Sequence, residues 1–277
     1  MHIIEYLTSD LFIAFVTLLS LGSIAGFLAG LLGIGGGAVL VPGLYYMYTH
    51  FGFSEAAMHT AVGTSLLTIL LTGTASARSH HKLGAVDIPM LQKFIPGIVG
   101  GVIIGSILAL YLSAGALKAS FAVLQISFAL YMLIRGNKIS IYPTMPSQPW
   151  FSIIAAINAA LAALMGVGGG VQNVIYMTIC NVPLARAIGT ASALGPVIAV
   201  LGAIGFMIIG QSSNATLPYS TGFVHWPAFF CIILTSVVTA PIGAKLTHQL
   251  PTKKLKNFFT AFIFIISIKM IYEVLFK

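Results

Sequence analysis

The chain has 277 residues, of which 58% are hydrophobic and only 6% charged, and its mean hydropathy is +1.02. That composition excludes an ordinary soluble domain, and the formal charge of +8 is spread over loops and helix ends, which excludes a nucleic-acid surface. Cys180 and Cys231 lie far apart in apolar surroundings and read as small buried hydrophobes, and no Cys/His spacing suggests zinc.

Met1–Asp10 carries acids and no Lys or Arg, so it lacks the basic start of a signal peptide, and mature membrane protein is read from Leu11 onward. A spanning helix needs about 20 mostly apolar residues. The first apolar run, 11–32, meets the tract Gly33-Ile34-Gly35-Gly36-Gly37 and continues as a shorter run, 38–49. Three further runs follow at 56–77, 88–112 and 116–134. Arg135–Pro149, with Pro143, Pro146 and Pro149, reads as a linker. The pattern then repeats: 150–165, the tract Gly166-Val167-Gly168-Gly169-Gly170, 171–180, and the runs 186–210, 225–249 and 256–275. The expected fold is an all-α polytopic integral membrane protein. Residues 1–134 form a first transmembrane repeat, 135–149 a cytoplasmic linker and 150–277 a second repeat, all in one intramembrane unit.

The two halves also align residue by residue. At an offset of 138, Gly84 falls on Gly222, Pro89 on Pro227, Gly105 on Gly243 and Phe121 on Phe259. The glycine tracts are related by 133, and Ala61-Val62-Gly63-Thr64 meets Ala187-Ile188-Gly189-Thr190 at 126. An ordered series with slowly changing offsets is the mark of a duplication with loops of different length.

Basic residues orient short membrane loops. Arg78 and Lys82, then Arg135 and Lys138, then Arg186, then Lys253, Lys254 and Lys256 place four segments in the cytoplasm. The connections 113–115 and 211–224 carry no Lys or Arg and belong outside. These assignments agree only if each glycine-broken pair enters and leaves on one side, so each half makes an odd number of crossings and the two repeats are inverted. Both termini are then non-cytoplasmic.

Glycine runs cost helix stability and free the backbone, and irregular backbone in lipid survives only where protein buries it or where it lines a cavity. Matching breaks in two halves point to a transporter's binding site. A helix that starts at such a break offers free N–H groups and a favourable dipole to an anion. Gly35, Gly36 and Gly37, with Gly168, Gly169 and Gly170, are therefore candidate ligands. Gln172 and Asn173 follow the second break and can donate from their amides, whereas Ala38 and Val39 follow the first. Thr64 and Ser65, with Thr190 and Ser192, are candidates because the Gly-Thr pair recurs in both halves. Each hydroxyl alone reads as a helix back-bond. The four-residue ladders Gly22, Gly26, Gly30 and Gly97, Gly101, Gly105 read as packing faces.

Among ionisable groups, Arg186 sits at a cytoplasmic helix end, His59 reads as a structural histidine, and Lys93, Lys245 and Lys269 as snorkelling cations. His80-His81 is expected to be a solvated pair in a basic loop. No Asp or Glu falls mid-helix. No H-E-x-x-H, G-x-S-x-G or Gly-Lys-Ser/Thr sequence supports an enzyme or a nucleotide site, and no cofactor is expected.

Two stretches resemble a known family. Gly30-Leu31-Leu32-Gly33-Ile34-Gly35-Gly36-Gly37-Ala38-Val39-Leu40-Val41-Pro42 is similar to the first signature of the TauE/SafE sulfite exporters. Leu164-Met165-Gly166-Val167-Gly168-Gly169-Gly170, with Ala187-Ile188-Gly189-Thr190-Ala191-Ser192, is similar to the second. The resemblance spans essentially the whole chain. It implies an inner-membrane permease for a small sulfur-containing anion such as sulfite, a sulfonate or sulfoacetate, working in the lipid bilayer without nucleic acid. A homo-oligomer stays open. The run Val171-Gln172-Asn173-Val174-Ile175 departs from the family's more apolar sequence there. A membrane scaffold or assembly factor is the first rival reading, and an intramembrane enzyme the second.

Overall fold

The computed structural model describes residues 2–33, 35–135, 141–213, 216–247, 249 and 252–276. Ile34 of the first tract and Lys138 of the linker lie outside the described residues, as do the side chains of Lys253, Lys254 and Lys256. The described chain forms ten helices: α1 (His2–Leu32), α2 (Gly37–His50), α3 (Ser54–Lys82), α4 (Ile88–Tyr111), α5 (Ala114–Arg135), α6 (Trp150–Met165), α7 (Gly170–Ile179), α8 (Leu184–Gly210), α9 (Trp226–Thr247) and α10 (Thr252–Phe276). A small antiparallel hairpin, β1 (Ser220–Thr221) and β2 (Val224–His225), precedes α9. Six of the described helices are long and apolar enough to cross a membrane. The all-α polytopic expectation therefore holds. α1 starts earlier than its apolar run because that run marks where lipid begins, not where helical backbone does.

Helices dominate because hydrocarbon offers no partner to a backbone N–H or C=O, and a helix satisfies them within one segment. Their ends are built locally. The Asp87 carboxylate accepts from Met90 N at 3.0 Å, and Pro89 follows in the first turn of α4, where no amide hydrogen is missed. α3 begins with Glu55 in its first turn and ends with Lys82 in its last, charges that suit its dipole.

The helices pack in pairs that respect an exchange of the two halves. α1 lies along α9, and its counterpart α6 lies along α4; α3 packs on α8, and α5 on α10. Lipid gives no hydrophobic drive between helices, so close approach of backbones matters most. Gly22, Gly26 and Gly30 of α1 face the carbonyls of Ile232, Ser236 and Ala240 on α9. Gly97, Gly101 and Gly105 of α4 face those of Ser152, Ala156 and Ala160 on α6. Both glycine ladders are thus helix seams, and a β-carbon has no room in either. Outward faces such as Ile103, Ile104, Ile107 and Leu108 of α4 remain exposed, as lipid contact requires. Inside, α2 and α7 are too short to span alone and sit buried between the longer helices.

Candidate functional site

Each glycine tract ends one helix and starts another. Gly33 (φ 68°) and Gly166 (φ 64°) follow α1 and α6, while Gly36 (φ 79°) and Gly169 (φ 68°) cap the starts of α2 and α7. These four residues adopt the left-handed conformation that side chains disfavour, and each stands 133 residues from its counterpart. The backbone geometry thus repeats at both ends of the tracts, and it differs between them at Gly35 (φ 73°), whose counterpart Gly168 has no positive φ.

The two breaks face each other. A β-carbon on Gly35 would lie 3.4 Å from Gly168 Cα and N, and one on Gly37 would lie 2.8 Å from Val167 Cα and strike Gly166 O. Ile69 of α3 and Gly195 of α8 close the junction: a β-carbon on Gly168 would lie 3.0 Å from Ile69 Cγ2 and 3.2 Å from Gly195 Cα. Neither residue carries a signal in the sequence, where one is an ordinary aliphatic and the other a solitary glycine. Ala38 and Val171, the second residues of α2 and α7, share one apolar cluster with Ala129 of α5 and Phe264 of α10. The helix starts thus converge on one buried region. Their first N–H groups have no carbonyl a turn earlier to bind; the intrahelical ladder begins at Val39 and Leu40, which donate to Gly36 O, and at Asn173, which donates to Gly169 O.

The carbonyl ends of α1 and α6 are served by side chains. Ser65 Oγ donates to Gly166 O at 2.8 Å across the two halves. At α1, His80 Nε2 lies 2.9 Å from Gly30 O, Thr247 Oγ1 donates to Leu31 O at 2.8 Å, and Ser76 Oγ donates to Ala29 O at 3.3 Å. His80 is fully buried inside α3. The expected solvated pair is corrected here: only His81 faces outward, because α3 carries on through the basic run and turns His80 toward α1.

Gln172 and Asn173 are buried at 3% and 1% exposure. Asn173 Oδ1 accepts from Asn158 Nδ2 at 3.3 Å, while Asn173 Nδ2 and Gln172 Oε1 have no partner among the described residues. Leaving a buried polar atom unpaired costs about 1–3 kcal/mol; the Asn173 Nδ2 donor can be met by an oxyanion, whereas the Gln172 Oε1 acceptor needs a donor such as water. Ser192 Oγ donates to Ile188 O at 2.9 Å and lies beside Gly33.

Thr64 and Thr190 do something else. Thr64 Oγ1 accepts from His225 N, and Thr190 Oγ1 accepts from Asp87 N, both at 3.0 Å. The neighbouring Gly63 and Gly189 let the carbonyls of Phe223 and Ala85 come close. Partners and offsets match in the two halves, so each Gly-Thr pair is a clasp holding the segment that leads into α9 or α4. Beside the first clasp, the Tyr48 hydroxyl lies 3.3 Å from His225 Nδ1. Burial in this clasp pushes the His225 imidazole pKa down to about 4.

His59 is buried, stacked on Phe223 at 4.9 Å, with Nε2 3.4 Å from Ala109 O, a structural placement. Arg186 lies 3.9 Å from Asp87, with its side chain largely exposed. The sequence reading missed an ion pair altogether: Lys118 of α5 contacts Glu273 of α10 at 3.0 Å and the Tyr45 hydroxyl at 3.0 Å, beside a cavity of about 570 Å³. Glu273 stands near the end of α10 and 155 residues from Lys118, so only the α5–α10 packing reveals the pair.

Six candidate spanning helices around two facing, glycine-broken pairs describe a multi-pass membrane protein, and its relatives are named probable membrane transporter proteins. The chain belongs to the sulfite exporter TauE/SafE family, whose model matches residues 18–270. It is 34% identical to a probable membrane transporter protein of Haemophilus influenzae over 91% of this chain and 96% of that protein. A probable membrane transporter protein of Methanocaldococcus jannaschii is 24% identical over 86% and 88%. The probable membrane transporter protein YunE of Bacillus subtilis is 26% identical over 95% and 100%. No solved structure matches the chain.

Proposed function

We propose that this transporter carries a small sulfur-containing anion, such as sulfite, a sulfonate or sulfoacetate, by alternating access around a site between the two glycine breaks. The convergence of the α2 and α7 starts carries this reading. The starts of α2 and α7 carry no side-chain cap and lie against one buried cluster, and such starts offer free N–H groups and a positive dipole end. Gly35, Gly36, Gly37, Gly168, Gly169 and Gly170 supply backbone, and Gln172 and Asn173 supply amides. Ser65 orders the carbonyl end of α6, Ser192 back-bonds within α8 beside Gly33, and Thr64 and Thr190 hold the segments on either side. The family's description as sulfite exporters supports the sulfur-anion class. The exchange-symmetric packing of α1 on α9 and α6 on α4 supports two repeats that rock against each other. We place the protein in the inner membrane with inverted repeats.

A thermal-shift panel on purified protein tests the site. An anion present at 100 times its Kd stabilises the native state by about 2.7 kcal/mol. Sulfite or a sulfonate should shift the transition where chloride does not, and the same anion should cross proteoliposomes containing only this protein. Shifts with none of the sulfur anions, and no flux, would remove this substrate class.

A further inference from the structure

The Lys118–Glu273 pair lies in a cavity of about 570 Å³ whose walls include Tyr45, Tyr46, His50 and Val274. The pair is largely shielded, with side chains 9% and 16% exposed, near the ends of α5 and α10 read as external, and ionisable groups that face a water-filled cavity in a membrane bundle are functional suspects by default. The duplication sharpens this point. At the offset of 138, Lys118 and Glu273 correspond to Lys256 and Arg135, so the other half carries no such opposite charges.

Two more polar residues continue inward from this cavity. Gln125 stands seven residues beyond Lys118 on α5, and Ser267 stands seven residues before Val274 on α10. Seven residues are two helical turns, so each lies on the face of its cavity-lining neighbour and about 10 Å deeper. Gln125 is 2% and Ser267 1% exposed, and Gln125 Oε1 and Ser267 Oγ have no hydrogen-bond partner among the described residues. Their counterparts in the duplication are Ile263 and Ala129, both apolar. One turn further in, Ala129 and Phe264 pack on Ala38 and Val171, where α2 and α7 begin. Both helices therefore run in the same order from cavity, to unpaired polar group, to the glycine breaks.

We propose that α2, α5 and α10 enclose the outer arm of the transport path, with the Lys118 cavity as its mouth and Gln125 and Ser267 as polar contacts for a small hydrated anion on its way to the breaks. This rests on the reading of the breaks as the substrate site and of 113–115 as external. A buried oxygen that finds no protein partner is an expensive choice in lipid; the Ser267 hydroxyl can donate to a passing anion, and the Gln125 Oε1 acceptor is met by the water that travels with it.

Single cysteines test the path without any knowledge of the substrate. In protein with Cys180 and Cys231 replaced by alanine, Thr49→Cys reports the mouth, Gln125→Cys and Ser267→Cys the arm, and Val123→Cys the lipid face. A small anionic methanethiosulfonate added outside should modify the first three and leave Val123→Cys unreacted. It should react about tenfold faster than its cationic analogue at the arm positions, because the helix N-termini beyond focus a positive potential. Ser267→Cys changes one atom and keeps the test valid even if Gln125→Cys folds poorly. A reactive Thr49→Cys with a silent Ser267→Cys overturns the proposal, as does modification only from the inner face. If the arm reacts as expected while no sulfur anion shifts the melting transition, the path stands and the substrate assignment falls.

Discussion

Gly195 is the residue that best separates space from strain at the site. A β-carbon there would meet only Gly168 O at 3.6 Å and Ile69 Cγ2 at 3.9 Å, ordinary contact distances, and Gly195 lies inside α8 without a positive φ. Gly195→Ala should therefore fold and gain about 0.5–1 kcal/mol of helix stability. It also places a methyl group at the seam between α8 and the second break. We expect a raised melting temperature together with reduced flux; unchanged flux would mean that this seam does not move during transport. Gly36→Leu and Gly169→Leu are poorer probes, since each forces a side chain into the left-handed region at about 1–2 kcal/mol. Asn173→Ala tests the ligand itself. If the unpaired Nδ2 donates to the anion, its loss should weaken binding by about 1–3 kcal/mol, roughly ten- to a hundredfold in Kd. A titration giving wild-type affinity would remove Asn173 from the site and leave backbone as the main ligand.

At the scale of elements, the Gly-Thr clasps make a paired prediction. Thr64→Val and Thr190→Val each remove the acceptor for one backbone N–H, that of His225 or Asp87. Similar geometry should give similar losses of about 1 kcal/mol each, read as parallel drops in melting temperature. A loss in one half alone would break the equivalence. The His225 clasp adds a pH dependence. Its folded pKa, about 4, is depressed below the ordinary 6.5, so the unfolded chain binds the proton first. The stability that depends on neutral His225 is complete above about pH 6.5 and declines as pH falls toward 4. His225→Gln should flatten that slope in a melting series, and an unaltered slope would place the titrating group elsewhere. Most helices themselves were legible in the sequence: the apolar runs 38–49, 150–165 and 186–210 became Gly37–His50, Trp150–Met165 and Leu184–Gly210. In lipid one rule, internal satisfaction of the backbone, dominates all others. The hairpin Ser220–His225 was not legible, because its strands are two residues each and depend on Thr64 and Phe206 far away in sequence. His80 was misread for a related reason: its partner, Gly30 O, is set by tertiary packing. Gln125 and Ser267 carry no local signal at all, since a single polar residue in an apolar helix acquires meaning only from the face it shares.

Across the whole molecule, the chain ends that the Lys/Arg pattern assigns to one side also meet in space. His50, Ser54, Ala114, Gly115 and Glu273 border one cavity, and Glu55, Leu112, Ser212 and Ser213 border another, all on segments read as external. Asp87, Lys93, Ser147 and Gln148 border a third, on segments read as cytoplasmic, with Arg186 nearby. Such sorting supports the inverted arrangement, in which each short helix turns back at its glycine break and both short helices meet in the middle. Thiol labelling decides it. With Cys180 and Cys231 replaced, His81→Cys and Ser212→Cys are both on exposed positions at opposite ends of the expected topology. An impermeant maleimide applied to intact cells should label Ser212→Cys, and His81→Cys should react only after the membrane is opened. A third cysteine at Asn181, in the turn after α7, should behave like His81 if the second broken pair returns to the cytoplasm. Labelling of His81→Cys and Ser212→Cys from one face would end the inverted reading. Labelling of Asn181→Cys with Ser212→Cys would instead mean that α6 and α7 together cross the membrane, and the facing breaks would then need another explanation.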